Sequence, residues 1–125
     1  MKKFLVVQDD KLKGGVNVQL LEELYEVLTA NDGIEALEMA RKHTPEIVLM
    51  DMSLPVMDGW EATRRFKIDE ELRAIPIIAL IAYDLRDGEE RARGFGCDDY
   101  LAKPIDADLL LEKLKSFLKD RNSMA

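Results

Sequence analysis

An α/β fold built on a parallel sheet is predicted, and three observations predict it. Short apolar runs alternate with amphipathic helical patterns about five times along the chain, as in successive βαβ units. The runs Ile47-Val48-Leu49-Met50 and Ile77-Ile78-Ala79-Leu80-Ile81 are apolar at every position, as strands buried on both faces must be. The first of these ends in Asp51 and breaks at once into Met52-Ser53-Leu54-Pro55-Val56-Met57-Asp58-Gly59. That puts a carboxylate at the carboxyl end of a strand, where open α/β sheets build their sites. Burying an unpaired carboxylate is costly, so Asp51 calls for a cation, a hydrogen-bonding loop or a chemical task; capping the loop is the bland alternative.

Each element follows in order. Phe4-Leu5-Val6-Val7 is the first strand, and Leu12, Val16, Leu20 and Leu24 recur at helical spacing on one face behind it. Glu26 to Ala30 is a shorter second strand, closed by the turn residues Asn31-Asp32-Gly33. Ile34, Leu37 and Ala40 mark the inward face of a second helix that stops before Pro45. After the third strand a helix begins near Asp58-Gly59, with Trp60, Thr63 and Phe66 on one face. Pro76 enters the fourth strand where a missing donor is tolerated. Asp84 to Gly94 is the most charged helical pattern and should be the least firmly packed. Cys97 to Leu101 is a weak fifth strand, and Leu109, Leu110, Leu114, Phe117 and Leu118 stripe the last helix. Residues 1–120 form one domain, with 121–125 as a flexible tail.

Composition excludes several classes. A chain of 125 residues, 47% hydrophobic and 34% charged, suits one soluble domain rather than a disordered or fibrous one. Its longest apolar stretch, Ile77 to Tyr83, is far short of a membrane span, and no long apolar segment follows Met1-Lys2-Lys3, so a cytoplasmic location without membrane association is expected. Net charge of −7 lacks the basic footprint that nucleic acid requires. Cys97 has no second cysteine to pair with and no nearby histidine to form a metal site with.

Strands of a parallel sheet end on one side, so Asp9, Asp10, Asp51, Ile81 and Lys103 should converge there. Carboxylates that close repel unless neutralised, and hard oxygen ligands suit Mg²⁺. Asp9 and Asp10 could equally cap a helix start. Lys103, before Pro104, could be a solvated loop cation, yet an ammonium facing carboxylates suits a phosphoryl group.

These residues resemble the receiver domain of two-component response regulators. The likeness covers Phe4 to Val7 with the acids that follow, Leu49 to Gly59, Ile75 to Leu80, and Gly96-Cys97-Asp98-Asp99-Tyr100-Leu101-Ala102-Lys103-Pro104. The resemblance implies a flavodoxin-like (βα)5 three-layer sandwich with a five-stranded parallel sheet. It implies Asp51 as phosphoacceptor, Mg²⁺ held by Asp9, Asp51 and the Ser53 backbone carbonyl with Asp10 or Gln8 as a further candidate, and Lys103 touching the phosphoryl group. It also implies a cis bond before Pro104, Tyr100 as the switch aromatic, and a histidine kinase or phosphotransfer protein as donor. The output would be contact with a downstream protein, from a monomer or weak dimer that is not itself an enzyme.

Two positions depart from that family's pattern. Gln8 stands where the first acid of the pair is usual, which removes charge from the metal site; a one-residue bulge would make Asp9-Asp10 the pair instead. Ile81 stands where Ser or Thr is usual and cannot donate the hydrogen bond that couples the phosphoryl group to the aromatic. Its extra carbon is expected to fill the space into which Tyr100 would rotate. Gly14-Gly15 in the first helical pattern costs about 1 kcal/mol per glycine and predicts a frayed start. The competing reading is a degenerate pseudo-receiver, a binding module that works without phosphorylation. A flavin carrier would want a Ser/Thr/Gly-rich loop where Asp10-Lys11-Leu12-Lys13 stands, and a haloacid-type phosphatase a second Asp where Ser53 stands. Both are disfavoured.

Overall fold

The computed structural model describes residues 2–9, 15–82 and 85–123, with side chains through Leu118. Five strands, β1 (Lys3–Val7), β2 (Glu26–Ala30), β3 (Ile47–Asp51), β4 (Ile77–Ile81) and β5 (Asp99–Ala102), alternate with α1 (Val18–Glu22), α2 (Gly33–His43), α3 (Gly59–Ile68), α4 (Gly88–Gly94) and α5 (Ala107–Ser123). The strands form one sheet in the order β2-β1-β3-β4-β5, and every pairing is parallel. This is the doubly wound architecture expected, in which the strand order reverses beside β1 and β3 and opens a crevice at their carboxyl ends.

Because alternate strand residues face opposite ways, the sheet divides the core in two. Leu5, Val7, Val48, Met50, Ile77, Ala79 and Ile81 face one layer, covered by Ala36, Leu37 and Ala40 of α2, Ala62 and Phe66 of α3, and Ala92 of α4. Phe4, Val6, Ile47, Leu49, Ile78 and Leu80 face the other, covered by Leu21 of α1 and Leu110, Leu114 and Leu118 of α5. All five residues of β3 and of β4 are buried, which is why those strands read as unbroken apolar runs.

Helix starts follow their caps. The Asp32 side chain accepts from the N–H of Glu35 at 2.9 Å, and that of Asp58 from the N–H of Glu61 at 2.9 Å, so the acids between strand and helix set where α2 and α3 begin. Thr44 closes α2 in the left-handed conformation, φ 47°.

Several expectations need correction. The first helix is shorter than its apolar spacing suggested: Val16 is buried ahead of it, the Asn17 side chain caps it, Leu21 fills the core and Leu24 is exposed. Two consecutive glycines disfavour a helix through 14–15, and an Asn able to cap three residues later moves the start and with it the buried face. Leu12 and Gly14 lie outside the described residues, as do Tyr83 and Asp84. Ile34 and Leu109 are exposed rather than inward, their places taken by Ala36 and Leu110. Trp60 is half-buried beside the fully covered Ala62. The fourth helix starts at Gly88, not Asp84, and the fifth strand at Asp99, with Cys97 buried before it. The last helix continues through Ser123, so 121–123 are helix rather than tail.

Candidate functional site

At the carboxyl edge of the sheet, Asp51 ends β3 with only 1% of its surface exposed. Lys103, the residue after β5, donates from Nζ to both carboxylate oxygens, 2.8 Å to Oδ1 and 2.7 Å to Oδ2. The Ser53 backbone N–H donates to Oδ1 at 2.8 Å. Oδ1 thus accepts two donors and Oδ2 one, which is how a charge so deep remains satisfied. Such a carboxylate can act as a nucleophile, and the ammonium beside it can take up charge on a transferred group.

Neighbouring backbone holds this pair in place. The Lys103 N–H donates to the Ile81 carbonyl at 2.8 Å and the Met52 N–H to the Leu80 carbonyl at 3.1 Å, extending the pairing of β4 past both site residues. The Lys103-Pro104 peptide bond is cis, as expected. One contributor escaped the sequence reading. A Cβ on Gly59 would lie 2.2 Å from the Asp51 carbonyl oxygen and 2.6 Å from Met52 Cα, so only glycine lets α3 start this close to the site. The Asp58-Gly59 pair read as a helix start carried that signal, unused.

Asp9 and Asp51 stand at the ends of adjacent paired strands, since Val7 pairs with Met50. Two carboxylates and a backbone carbonyl on that edge are hard oxygen donors of the kind Mg²⁺ takes together with retained waters. Among the described residues no group of three or more His, Cys, Asp or Glu could hold a metal by itself. Asp10 lies outside the described residues. Gln8 is engaged elsewhere: its Nε2 donates to the Val16 carbonyl at 3.0 Å, and its Oε1 accepts from the Val16 N–H at 2.9 Å.

Ile81 is buried at the end of β4, and a Cβ on Gly88, the first residue of α4, would come within 2.8 Å of its Cδ1. Tyr100 is half-buried against the same core layer as Ile81, and Lys113 lies 5.8 Å from its ring centroid while pairing with Asp99 at 2.8 Å. Away from the site, a groove of about 700 Å³ between α2 and α3, lined by Ile34, Leu37, Met57 and Ile68 among others, includes neither Asp51 nor Lys103.

Residues 4–115 match the family model of the response regulator receiver domain. The chain belongs to the response regulator receiver domains. Polar-differentiation response regulator DivK of Brucella ovis is 41% identical to this receiver domain over 124 residues, which cover 95% of this chain and 98% of that protein. Among solved structures, a putative response regulator from Chloroflexus aurantiacus superposes with a TM-score of 0.82 at 29% identity, covering 94% of this chain and 98% of that one. The receiver domain of a sensor histidine kinase from Pseudomonas aeruginosa, described with a magnesium ion coordinated in its active site cleft, gives 0.79 at 35% identity and the same coverage. Chemotaxis response regulator CheY4 of Vibrio cholerae gives 0.80 at 29% identity. The flavodoxin-like fold and a place in two-component signalling therefore stand for this receiver domain, and none of its described helices is long and apolar enough to cross a membrane.

Proposed function

We propose that Asp51 accepts a phosphoryl group from the phosphohistidine of a histidine kinase or phosphotransfer protein, in a Mg²⁺-dependent reaction, and that the domain then signals through protein contacts. The observation that carries this reading is the carboxylate of Asp51, buried at the sheet's carboxyl edge and held on both oxygens by Lys103. Asp51 Oδ2, which among the described residues accepts from Lys103 alone, attacks phosphorus; the P–O bond forms as the P–N bond breaks, and the donor imidazole keeps the electron pair. Lys103 exchanges its carboxylate partner for phosphoryl oxygens, so its charge stays compensated throughout. The Ser53 N–H keeps Oδ1 fixed, which orients the attacking oxygen. Mg²⁺ held by Asp9, Asp51 and the Ser53 carbonyl would offset negative charge on the transferred group.

Incubation with acetyl phosphate and Mg²⁺ tests this. An adduct one phosphoryl group heavier by intact mass is expected in the wild type and not in Asp51→Ala, with beryllofluoride binding as a control for fast hydrolysis. The absence of both the adduct and beryllofluoride binding would sink the reading. The pseudo-receiver alternative is favoured by one observation, Ile81 seated against Gly88 where a hydroxyl would be needed to answer the phosphoryl group. On that alternative beryllofluoride leaves Tyr100 and α4 unchanged.

A further inference from the structure

We propose that Gln8 is a positioning residue rather than a metal ligand, and that with Gly15 it pins Val16, just ahead of α1, to the end of β1 and so steadies the adjoining Asp9. The proposal rests on the reading of Asp9 and Asp51 as the metal and phosphoryl site. Its two bonds go to the backbone of a single residue: Nε2 donates to the Val16 carbonyl at 3.0 Å and Oε1 accepts from the Val16 N–H at 2.9 Å. An amide is the side-chain group that carries a donor and an acceptor side by side, so it can mimic a backbone pair of a sheet ladder. A glutamate of the same length could take the Val16 N–H but could not donate to the carbonyl.

Gly15 is the other half of the device. A Cβ there would lie 2.5 Å from Gln8 Oε1, so any side chain at 15 would push the amide off Val16. The backbone of Gln8 is itself anchored, its N–H donating to the Ala30 carbonyl at 3.1 Å. Val16 is buried against the α1–α5 face of the sheet. Gln8, held by Ala30 on one side and by Val16 on the other, is thus fixed, which reduces the entropy to be lost when the adjoining Asp9 is held in one place. Charge explains why an amide serves here. A carboxylate at position 8 would add a third negative charge beside Asp9 and Asp51, which like-charge repulsion disfavours, whereas an amide adds none. The Gln8 amide needs no bound cation to hold Val16.

Amide hydrogen exchange at Val16, measured on the full chain in EDTA, tests the pin without any metal. Gln8→Ala should speed exchange about tenfold or more, and Gly15→Ala should do the same, because either change removes both bonds. The double variant should exchange no faster than either single one. Mg²⁺ titration should find both single variants weakened to the same degree, since both act through Asp9. Unchanged Val16 exchange in Gln8→Ala, or Mg²⁺ affinity lowered by Gln8→Ala but not by Gly15→Ala, would overturn the proposal in favour of direct ligation. If Gln8→Ala does not fold, Gln8→Glu carries the same comparison with an intermediate exchange rate expected and an unchanged one refuting. Loss of the acetyl phosphate adduct with Val16 exchange behaving as expected would fault the phosphoacceptor reading and leave the pin standing.

Discussion

Replacing Lys103 by Met removes the cation and keeps most of the side-chain volume, so it isolates the ion pair with Asp51. At an effective dielectric of about 20, charges 2.7 Å apart attract by about 6 kcal/mol, against which the desolvation of both groups must be set. Removing the partner leaves a carboxylate that is 1% exposed with the Ser53 N–H as its remaining donor among the described residues, and a loss of about 3 kcal/mol at neutral pH is expected. Asp51→Asn should cost less, about 1–2 kcal/mol, because the Lys103 side chain, 15% exposed, can turn its ammonium to water. The double variant, with no charge left in the pair, should lose only about 2 kcal/mol, giving a coupling energy of about 2–3 kcal/mol. Urea unfolding in EDTA measures all four proteins, and the single Lys103→Met variant should also melt about 10 °C lower. Additive single losses, with a coupling energy under about 0.5 kcal/mol, would refute the pair as the stabilising partner of the buried carboxylate.

Ile81→Thr trades a packed ethyl group for a hydroxyl, so it should cost about 2 kcal/mol while allowing α4 resonances, which stay still in the wild type, to shift when beryllofluoride and Mg²⁺ are added; an unshifted α4 would refute the role assigned to position 81. Gly59→Ala sets a methyl 2.2 Å from the Asp51 carbonyl oxygen, where backbone must move, and should cost about 3 kcal/mol in urea unfolding and slow phosphoryl uptake. Burial pushes the Cys97 thiol up to about 11, the weak Thr63 hydrogen bond only partly opposing it. Its folded-state value is thus raised, so the neutral thiol's stabilisation is present below about pH 9 and lost as pH rises through about 11. At pH 8 the thiolate fraction falls from about one in ten to about one in a thousand, and alkylation of the native protein should run about a hundredfold slower than that of the urea-unfolded chain.

What could be read from the sequence was what short-range chemistry decides. The unbroken apolar runs of β3 and β4 could only be strands covered on both faces, and Asp58 marked a helix start because its side chain bonds an N–H three residues on, whereas Asp32, legible only as a turn residue, caps α2 in the same way. Asp51 and Lys103, 52 residues apart, were placed together because parallel strands end on one side. What the sequence hid depends on packing between elements. Gly59 looks like any glycine at a helix start until α3 is laid against the end of β3. Val16 and Leu24 fit a helical stripe, but the cap at Asn17 rotated the helix to Leu21. Gln8 was read as a weakened ligand because its partner, a backbone eight residues away, leaves no mark in residue type.

Among the described residues, the side chain that links Asp51 to the far edge of the sheet is that of Lys103. With Ile81 apolar, no hydroxyl at the end of β4 can follow a change at Asp51, and Ile81 meets Gly88 at the first turn of α4. The other end of that helix is also held: Trp60 lies 5.3 Å from the Phe95 ring, and the Arg91 guanidinium stacks 4.5 Å above Trp60. Although α4 buries only Gly88 and Ala92 along its own length, it is braced from β4 and from α3. Lys103 remains, bonded to Asp51 through Nζ and to the Ile81 carbonyl through its own N–H, three residues after Tyr100. A group that draws the ammonium off the carboxylate therefore pulls on the backbone shared by β4 and β5 rather than on α4. Tyr100 and its neighbours Asp99 and Lys113 should accordingly respond to beryllofluoride before α4 does. The indole fluorescence of Trp60, the single tryptophan in the sequence, reports on α4 and should stay constant while Tyr100 resonances move. A fluorescence change of equal midpoint would place the response in α4 and refute this route.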